Sequence, residues 1–349
     1  MPQLQPLIYV LHSGNLYGTE QMALATLQGL SSAWRPALFA PPGPVHAEAV
    51  RRGLSVDVFR SVRELAQKTL PLLWQAQAPA LVATGVSHSL LIHSMAKLMG
   101  RSLVHLHVVH GGTDEKLSYG RKPLLGGLNL RLVAVSAFVR DRLVAHGCRP
   151  EQIDIIENFT TGTTLAHRAA FGPEGVKRVA VLSRTDPIKR VNLVLDAMDR
   201  GEDLSGFHFD VYGAGSDLDA LRQRATRWPN VALHGYVPDA AQRLAQHDVL
   251  LHTCAEEPFG LALLEAMAAR VPILAPNRGG AGSLVTDGQT GFHFPANDAR
   301  SMAQALRRVA ATPAAQLNAV VEQAHQALQH RFSPSRGLAE YAALLEARP

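Results

Sequence analysis

The sequence predicts an α/β protein of two domains, each built around a parallel β-sheet. The chain has 349 residues, which is more than one ordinary domain needs and suits two. Short apolar strands alternate with helical stretches, a pattern typical of parallel sheets whose strands are connected by helices. The series is interrupted once, from about Thr160 to Gly175, where Thr, Gly and Ala dominate and periodicity is weak. This interruption predicts an interdomain connection.

The first half begins with a strand at Leu7–Leu11, followed by a glycine-containing loop and a helix from about Glu20 to Leu30. The segments ALFA, ALVAT and LVHLHVV are further strands, and Leu132–Ser136 is another. Its last residue is a serine, which favours a helix N-cap, so the next helix is expected to run from there to Gly147. The segment IDIIEN completes this half.

The second half contains five strands that each end at a small or turn-forming residue: VAVLS, FDVYG, VALHG, VLLHT and PILAP. Ligands of such sheets bind outside the carboxyl ends of the strands, so functional residues are sought there. The tail from Pro313 is helical, with an interruption at Phe332–Ser335. We predict domains over 1–170 and 171–330 and a terminal helix over 331–349. A cleft between the two domains would suit a two-substrate reaction.

Composition excludes several classes of protein. Hydrophobic residues make up 47% of the chain and charged residues 18%, against ~25% in average soluble domains, which excludes a disordered chain. Two cysteines, Cys148 and Cys254, cannot form a disulfide framework or a four-thiolate zinc site. The beginning of the sequence lacks a basic leader, and the uncharged stretch Thr69–Ala96 is broken by Pro71 and other polar or kinking residues. A cytoplasmic location is therefore expected.

The positive charge of the chain lies in its first half. Residues 1–170 contain sixteen Lys and Arg against ten Asp and Glu, whereas residues 171–349 contain eighteen against nineteen. A nucleic acid, another phosphorylated molecule or an anionic membrane would therefore favour the first half. The basic and leucine-rich segment Arg121–Arg131 is either a peripheral membrane contact or an ordinary helix before the next strand. Nucleic acid is disfavoured, because the basic excess is modest and no aromatic stripe accompanies it.

The segment AEEPFGLALLEAMAARVPILAP places two carboxylates near the start of an apolar helix. Glu257 and Glu265 are eight positions apart, so a helix that begins near Phe259 or Gly260 leaves Glu257 before its N-terminus. A helix N-terminus entered through glycine favours an anion. A carboxylate beside such an anion site would bind hydroxyl groups, for example those of a sugar or a ribose. The alternative is that Glu257 caps the helix and Glu265 lies on a solvated face.

Arg184 and Lys189 flank a turn after the strand VAVLS. Two cations at a strand's carboxyl end suit a diphosphate, although loop charges at the surface are the commoner case. Two glycine pairs also follow strands: Gly213 and Gly215, then Gly279 and Gly280. These glycines either permit close approach of another backbone or form simple turns. The same two alternatives apply to the loop that contains Gly18. No dinucleotide fingerprint or Walker A sequence is present.

Three histidines lie at the end of one strand in the first half, in LVHLHVVHGG. His105 and His107 would share a face of the strand, and His110 follows it. Three interpretations remain open: buried structural histidines, histidines that contact a substrate, or a metal site. The metal site is disfavoured, because the only carboxylates at short spacing are Asp114 and Glu115.

Taken in chain order, these segments resemble the retaining glycosyltransferases of family 4, whose GT-B fold has two facing Rossmann-like domains. YGTE is similar to the family's glycine-glycine-x-glutamate loop, with Tyr17 at the first glycine. SRTDPIK matches its Arg-x4-Lys phosphate clamp, with Ser183 at a usual glycine, and EEPFGLALLEAMA matches its E-x7-E motif. VALHGYVP and RFSPSRGLAEYAALLEA resemble its base-binding turn and terminal helix. NRGGAGSLV resembles its glycine pair, with Ser283 where many members have glutamate.

The resemblance implies a donor site built from both domains. Its expected residues are Arg184, Lys189, Gly260, Leu261 and Gly18 at the diphosphate, Glu265 at the ribose, Gly235, Tyr236 and Val237 at the base, and Glu257 with His107 or His110 at the donor sugar.

The resemblance also implies a metal-independent enzyme without a cofactor that transfers sugar from a UDP-linked donor with retention of configuration. Fixed cations and a helix N-terminus would stabilise the departing diphosphate. The acceptor would be a glycan, a lipid-linked molecule or a small molecule, in polysaccharide or glycoconjugate biosynthesis. Two alternatives remain: a sugar-nucleotide epimerase on the same fold, and a non-catalytic subunit that binds nucleotide sugars.

Overall fold

The computed structural model of the protein describes residues 4–76, 78–112, 115–161 and 164–347. The chain divides into two compact units. Unit 1 comprises Met1–Gly162 and Pro334–Pro349, and unit 2 comprises Thr163–Ser333. The sequence predicted divisions after residues 170 and 330, which lie eight positions after the first of these boundaries and three before the second.

Unit 1 is built on a seven-stranded parallel sheet with the strand order β3-β2-β1-β4-β5-β6-β7. Its strands are β1 Pro6–Val10, β2 Arg35–Ala40, β3 Val56–Val58, β4 Ala80–Ala83, β5 Val104–Val109, β6 Arg131–Ala134 and β7 Ile153–Ile155. Its first helices are α1 Gly18–Leu30, α2 Val45–Arg51, α3 Val62–Gln75, α4 Val86–Leu98, α5 Glu115–Ser118 and α6 Ala137–Ala145. Every residue of β1, β4 and β5 is buried, as in strands covered by helices on both faces.

Unit 2 is built on a six-stranded parallel sheet with the strand order β10-β9-β8-β11-β12-β13. Its strands are β8 Arg178–Leu182, β9 His208–Tyr212, β10 Val231–Gly235, β11 Val249–Leu251, β12 Ile273–Pro276 and β13 Phe292–Phe294. Its helices are α7 Leu193–Asp199, α8 Leu218–Ala225, α9 Leu261–Ala268, α10 Gly279–Leu284, α11 Ala299–Ala311 and α12 Ala314–Arg331. These elements enclose a separate apolar core.

The last helix, α13 (Pro334–Glu346), belongs to unit 1 and packs against α1. Two glycines permit this close packing. A Cβ atom at Gly29 of α1 would lie 2.2 Å from Leu338, and one at Gly337 would lie 2.2 Å from Phe159. The terminal helix therefore returns to the sheet with which the chain begins.

Most predicted elements are present, with shifted ends. Ser136 caps α6 as predicted, and its hydroxyl accepts a hydrogen bond from the Val139 amide at 3.1 Å. The helix proposed as the ordinary alternative for Arg121–Arg131 is reduced to a 3-10 turn over Lys122–Leu125, which contains Pro123 and ends at Gly126. Within the described residues, no helix is both long and apolar enough to cross a membrane.

Candidate functional site

The strand order reverses at one point in each sheet, and the carboxyl ends of the strands there are the expected ligand-binding position. In unit 2 the reversal lies between β8 and β11. The turn that contains Arg184 and Lys189 follows β8, and the loop that contains Glu257 follows β11. The fold therefore brings together the two segments that the sequence singled out separately.

A buried ion pair joins these segments. The Lys189 Nζ lies 2.7 Å from the Glu257 Oε2, and the two side chains are 15% and 13% exposed. His252 Nε2 lies 3.4 Å from the same carboxylate oxygen. Burial alone would raise the pKa of Glu257, but Lys189 and His252 outweigh it and hold that pKa well below its usual range. Burial likewise opposes the charge of Lys189, yet Glu257 raises the Lys189 pKa. Both groups are therefore charged at neutral pH.

Two side chains from the β11 loop fix the position of Lys189. The Thr253 hydroxyl donates to the Lys189 carbonyl at 2.7 Å, and the Cys254 thiol donates to the Ile188 carbonyl at 3.3 Å. Lys189 ends a 3-10 turn that Pro187 begins. The lysine backbone is thereby held against the loop that carries its carboxylate partner.

Arg184 lies on the same turn and is more exposed. Its guanidinium Nη1 lies 2.8 Å from Asp186 Oδ2, and its side chain is 38% exposed. The Gly213–Gly215 loop packs tightly against this turn, since a Cβ at Gly213 would lie 1.8 Å from the Ser183 carbonyl oxygen. A Cβ at Gly215 would lie 2.7 Å from Asp186 Oδ1. These glycines therefore permit close backbone approach, as the sequence suggested.

Helix α9 begins at Leu261, with Gly260 as its N-cap in the left-handed conformation (φ 99°). No side chain among the described residues caps this N-terminus. The alternative in which Glu257 caps the helix is therefore wrong, because its carboxylate contacts Lys189 instead. Glu265 lies in the second turn of α9, where it is half-buried rather than on a solvated face, and burial raises its pKa to about 7.

The glycine pair Gly279 and Gly280 begins α10 and packs against the Glu257 loop. The Gly280 amide donates to the Glu257 carbonyl at 2.6 Å. A Cβ at Gly280 would lie 2.1 Å from the Pro258 carbonyl oxygen, and Gly279 has a positive φ of 73°. The pair thus supports the backbone that holds Glu257.

The predicted base-binding turn follows β10. Gly235 has a positive φ of 71°, and its carbonyl accepts a hydrogen bond from the Gly213 amide at 2.7 Å. Tyr236 is 72% exposed, and Val237 is half-buried. The turn therefore adjoins the Gly213 loop, on the β9 side of the sheet.

The structure places the two candidate histidines of unit 1 differently. His107 is fully buried within β5, with its Nδ1 2.8 Å from the Ser89 hydroxyl. The same hydroxyl lies 3.0 Å from His105 Nε2, so these two histidines share a face as predicted. His110 follows β5 and lines a cavity at the edge of the sheet. Burial lowers the pKa of His107 well below its usual range and that of His110 to about 3.

Gly18, the remaining predicted donor residue, is the first residue of α1. The preceding Tyr17 amide donates to Glu20 Oε2 at 3.0 Å, which closes the start of the helix. The role of Gly18 at the diphosphate stays a prediction.

Among the described residues, no cluster of three His, Cys, Asp or Glu could hold a metal ion. Asp114, one of the two carboxylates considered near the histidines, lies outside the described residues.

Two residues that the sequence did not single out also lie at the candidate sites of the two units. His252 contacts Glu257, and Lys122 is buried in unit 1. His252 ends the predicted strand VLLHT, so its position at a carboxyl end was a usable signal. Lys122 gave none, because a lysine in a basic segment is ordinarily exposed.

Comparison with known proteins shows which proteins this chain is similar to. Residues 176–312 match the family described as glycosyl transferases group 1. The chain is 30% identical over 236 residues to a D-inositol 3-phosphate glycosyltransferase of Mycobacteroides abscessus, covering 59% of this chain and 53% of that protein. It is 25% identical over 228 residues to the putative colanic acid biosynthesis glycosyltransferase WcaL of Escherichia coli, covering 62% and 56%. The chain spans about half the length of the curated relatives it matches.

The fold also matches solved structures. HepE from Anabaena, in complex with UDP-glucose, superimposes with a TM-score of 0.82 over 98% of this chain and 99% of that chain, at 18% identity. The chain therefore has the fold of the GT-B glycosyltransferases. The sequence matches confirm its resemblance to the family 4 glycosyltransferases, most directly in unit 2.

Proposed function

We propose that the protein is a retaining glycosyltransferase that moves a sugar from a UDP-linked donor to a glycan, lipid-linked or small-molecule acceptor. The observation that carries this proposal is the buried Lys189–Glu257 pair beside the N-terminus of α9. It places fixed positive charge, free helix amides and a carboxylate at the strand-order reversal of unit 2.

The diphosphate would be held by Lys189, Arg184 and the start of α9. A lysine ammonium has three N–H donors, and Lys189 directs one of them to Glu257. The others remain for phosphate oxygens, together with the amides of Gly260 and Leu261. These groups would stabilise the negative charge that develops on the departing diphosphate. The chain's own residues would therefore provide this stabilisation without a metal.

The remaining residues would orient the donor. Glu265 would bind the ribose hydroxyls, and the turn Gly235–Val237 would border the base. Glu257 would bind hydroxyls of the transferred sugar near the reacting carbon, with His110 or His107 of unit 1 as a further contact. The acceptor would attack the face that the diphosphate leaves, and a diphosphate oxygen would take the acceptor proton.

Known proteins support the donor class. HepE is solved in complexes with UDP and with UDP-glucose, and curated relatives are named as glycosyltransferases. Their named roles differ, from an inositol phosphate glycosyltransferase to glycogen synthase, so they do not select one acceptor.

A ligand panel and a hydrolysis assay test the proposal. UDP at a hundred times its Kd stabilises by ~2.7 kcal/mol, which should raise the melting temperature by roughly 5 °C, with smaller shifts for GDP and ADP. With UDP-glucose and other UDP-sugars, slow release of UDP and of free sugar with unchanged anomeric configuration is expected, in excess chelator as well.

Glu257→Gln should abolish this release while its neighbour Glu256→Gln retains it. Glu256 is a suitable control because it lies on the same loop and pairs with Arg278 instead of Lys189. Nucleotide binding without turnover would identify a non-catalytic subunit. Conversion of the donor to another UDP-sugar would identify an epimerase. No stabilisation by any of the three nucleotides would refute the donor site itself.

A further inference from the structure

Unit 1 has a cavity at its own strand-order reversal, between β1 and β4. His12 follows β1 and Thr84 follows β4, and both line the cavity, which has a volume of about 550 Å³. The position corresponds to that of the Lys189–Glu257 pair in unit 2. Apart from His110, the proposed function assigns no role to its lining.

The most unusual residue of this cavity is Lys122. It lines the cavity, yet the residue is only 7% exposed. Its side chain makes no hydrogen bond or ion pair with any residue that the structure describes. Burial lowers the pKa of Lys122 to about 8, which still leaves the ammonium largely charged at neutral pH. A buried cation without a counterion is costly, so a bound anion would stabilise it.

The N-terminus of α4 faces the same cavity. Gly85 is its N-cap, no side chain in the described part of the chain caps it, and its first turn contains no acidic residue. Val86 and Ser87 of this 13-residue helix line the cavity. The first amide groups of a helix have no intrahelical acceptor, and the helix dipole favours negative charge there.

Other polar groups in the lining are also compatible with an anion. The His110 Nε2 is buried and has no hydrogen-bond partner among the described residues. Arg121 lies beside Lys122, and none of the described lining residues is Asp or Glu. Leu117 and Leu124 also line the cavity and are 54% and 63% exposed, so apolar surface adjoins this basic position.

We propose that this cavity binds a phosphate group carried by the acceptor, with Lys122 and the N-terminal amides of α4 as its principal ligands. The inference rests on the proposed glycosyl transfer and specifies its acceptor as a phosphorylated molecule. The phosphate belongs either to a soluble phosphorylated acceptor or to a lipid headgroup, and both present the same group to Lys122.

Chemical labelling of lysines tests this proposal on the intact protein. Acylating reagents modify the neutral amine, so at a pH near its pKa of about 8 Lys122 reacts when the cavity is empty. A phosphate within about 5 Å that raises the pKa by ~1 unit would slow the reaction about fivefold. We expect inorganic phosphate to protect Lys122 relative to chloride at equal ionic strength, as measured by mass spectrometry. Exposed Lys97, near the other end of α4, is the internal control and should not change.

Equal labelling of Lys122 in phosphate and chloride would overturn the proposal. If UDP still stabilised the protein, only this inference would fail, and the donor site would stand. Protection of Lys122 in a protein that bound no nucleotide would refute the transferase and, with it, the assignment of an acceptor.

Two further probes distinguish the sources of phosphate. Glycerol 3-phosphate should protect Lys122 if the acceptor is soluble. Vesicles of phosphatidylcholine with about 25 mol% phosphatidylglycerol should do so if it is a lipid, and Lys122→Met should then reduce vesicle co-sedimentation more than Lys97→Met. Equal loss in both variants, without protection of Lys122, would show general surface attraction and contradict a headgroup in the cavity.

Discussion

Each unit has a largely buried lysine near its strand-order reversal, and the two lysines have different partners. Lys189 in unit 2 lies 2.7 Å from a carboxylate, and its pKa is raised. Lys122 in unit 1 has no carboxylate partner among the described residues, and its pKa falls to about 8. Burial disfavours charge in both cases, so the partner decides the direction of the shift. Unit 2 therefore has a fixed ion pair, whereas the lysine of unit 1 has no counterion among the residues that the structure describes.

The histidines of unit 1 follow the same rule. Burial lowers the pKa of His105 and His110 to about 3 and that of His107 further below its usual range. Near neutral pH these rings are uncharged hydrogen-bonding groups. The positive charge of the unit 1 cavity therefore comes from Lys122 and Arg121, and not from its histidines.

The largest effect is expected for Lys189→Met. Removing Lys189 leaves the Glu257 carboxylate with only His252 beside it, which should cost roughly 3 kcal/mol in the free energy of unfolding. UDP affinity should also fall about 10- to 100-fold, because one charge-assisted contact is lost. Urea unfolding and calorimetric titration measure the two effects. Exposed Lys177→Met, in the same unit, is the matched control and should change neither.

A double variant separates stability from binding. Lys189→Met with Glu257→Met replaces both charges by apolar side chains, and most of the lost stability should return while UDP affinity stays low. If the double variant were as unstable as Lys189→Met alone, an unpaired carboxylate would not explain the loss. If it bound UDP normally, Lys189 would have no part in the donor site.

The opposite sign is expected for Lys122→Met. This change removes a buried charge for which the described residues provide no counterion, so the free energy of unfolding at pH 7 should rise by roughly 1 kcal/mol. Between pH 8 and the ordinary lysine value of 10.5, the unfolded chain binds more protons at this site than the folded one. The free energy of unfolding of the wild type should therefore increase relative to that of the variant as pH rises through this range. A destabilised variant would indicate that Lys122 has a stabilising partner, and the proposed difference between the two lysines would then be wrong.

The sequence predicted the elements of unit 2 and the candidate residues at their ends better than it predicted their interactions. Arg184, Lys189 and Glu257 follow strands whose carboxyl ends meet at one edge of a parallel sheet, so their proximity follows from topology. The Lys189–Glu257 ion pair cannot be predicted in the same way. The two residues are 68 positions apart, and their separation in sequence does not give the distance between their side chains. The same limit allowed Glu257 to be considered as a helix cap.

Unit 1 shows where such reasoning fails. The sequence shows Lys122 only as part of a basic, leucine-rich segment, because burial of a lysine depends on which elements cover it and not on its neighbours in sequence. Pro123 and Gly126 shorten the local helix to one turn, and this turn lies beside the cavity. His107 and His110 are three positions apart, yet one is inside the sheet and the other lies at its edge. A strand pattern predicts alternating faces but not where the last residue leaves the sheet.

An effect as small as that of Lys122→Met is expected for Glu265→Gln, which tests inside unit 2 how burial shifts the pKa of a carboxyl group. Burial raises the pKa of Glu265 from 4.5 to about 7, so between these values the folded protein binds more protons than the unfolded chain. Its stability should fall as pH rises through this range, and the variant should be more stable than wild type at pH 8 by about 1 kcal/mol. Ribose hydroxyls that donate to the carboxylate would lower its pKa, so UDP binding near pH 7 should release a proton. Titration calorimetry in buffers of different ionisation enthalpy measures this release. A wild type and a Glu265→Gln variant that released the same number of protons would exclude Glu265 from the ribose contact.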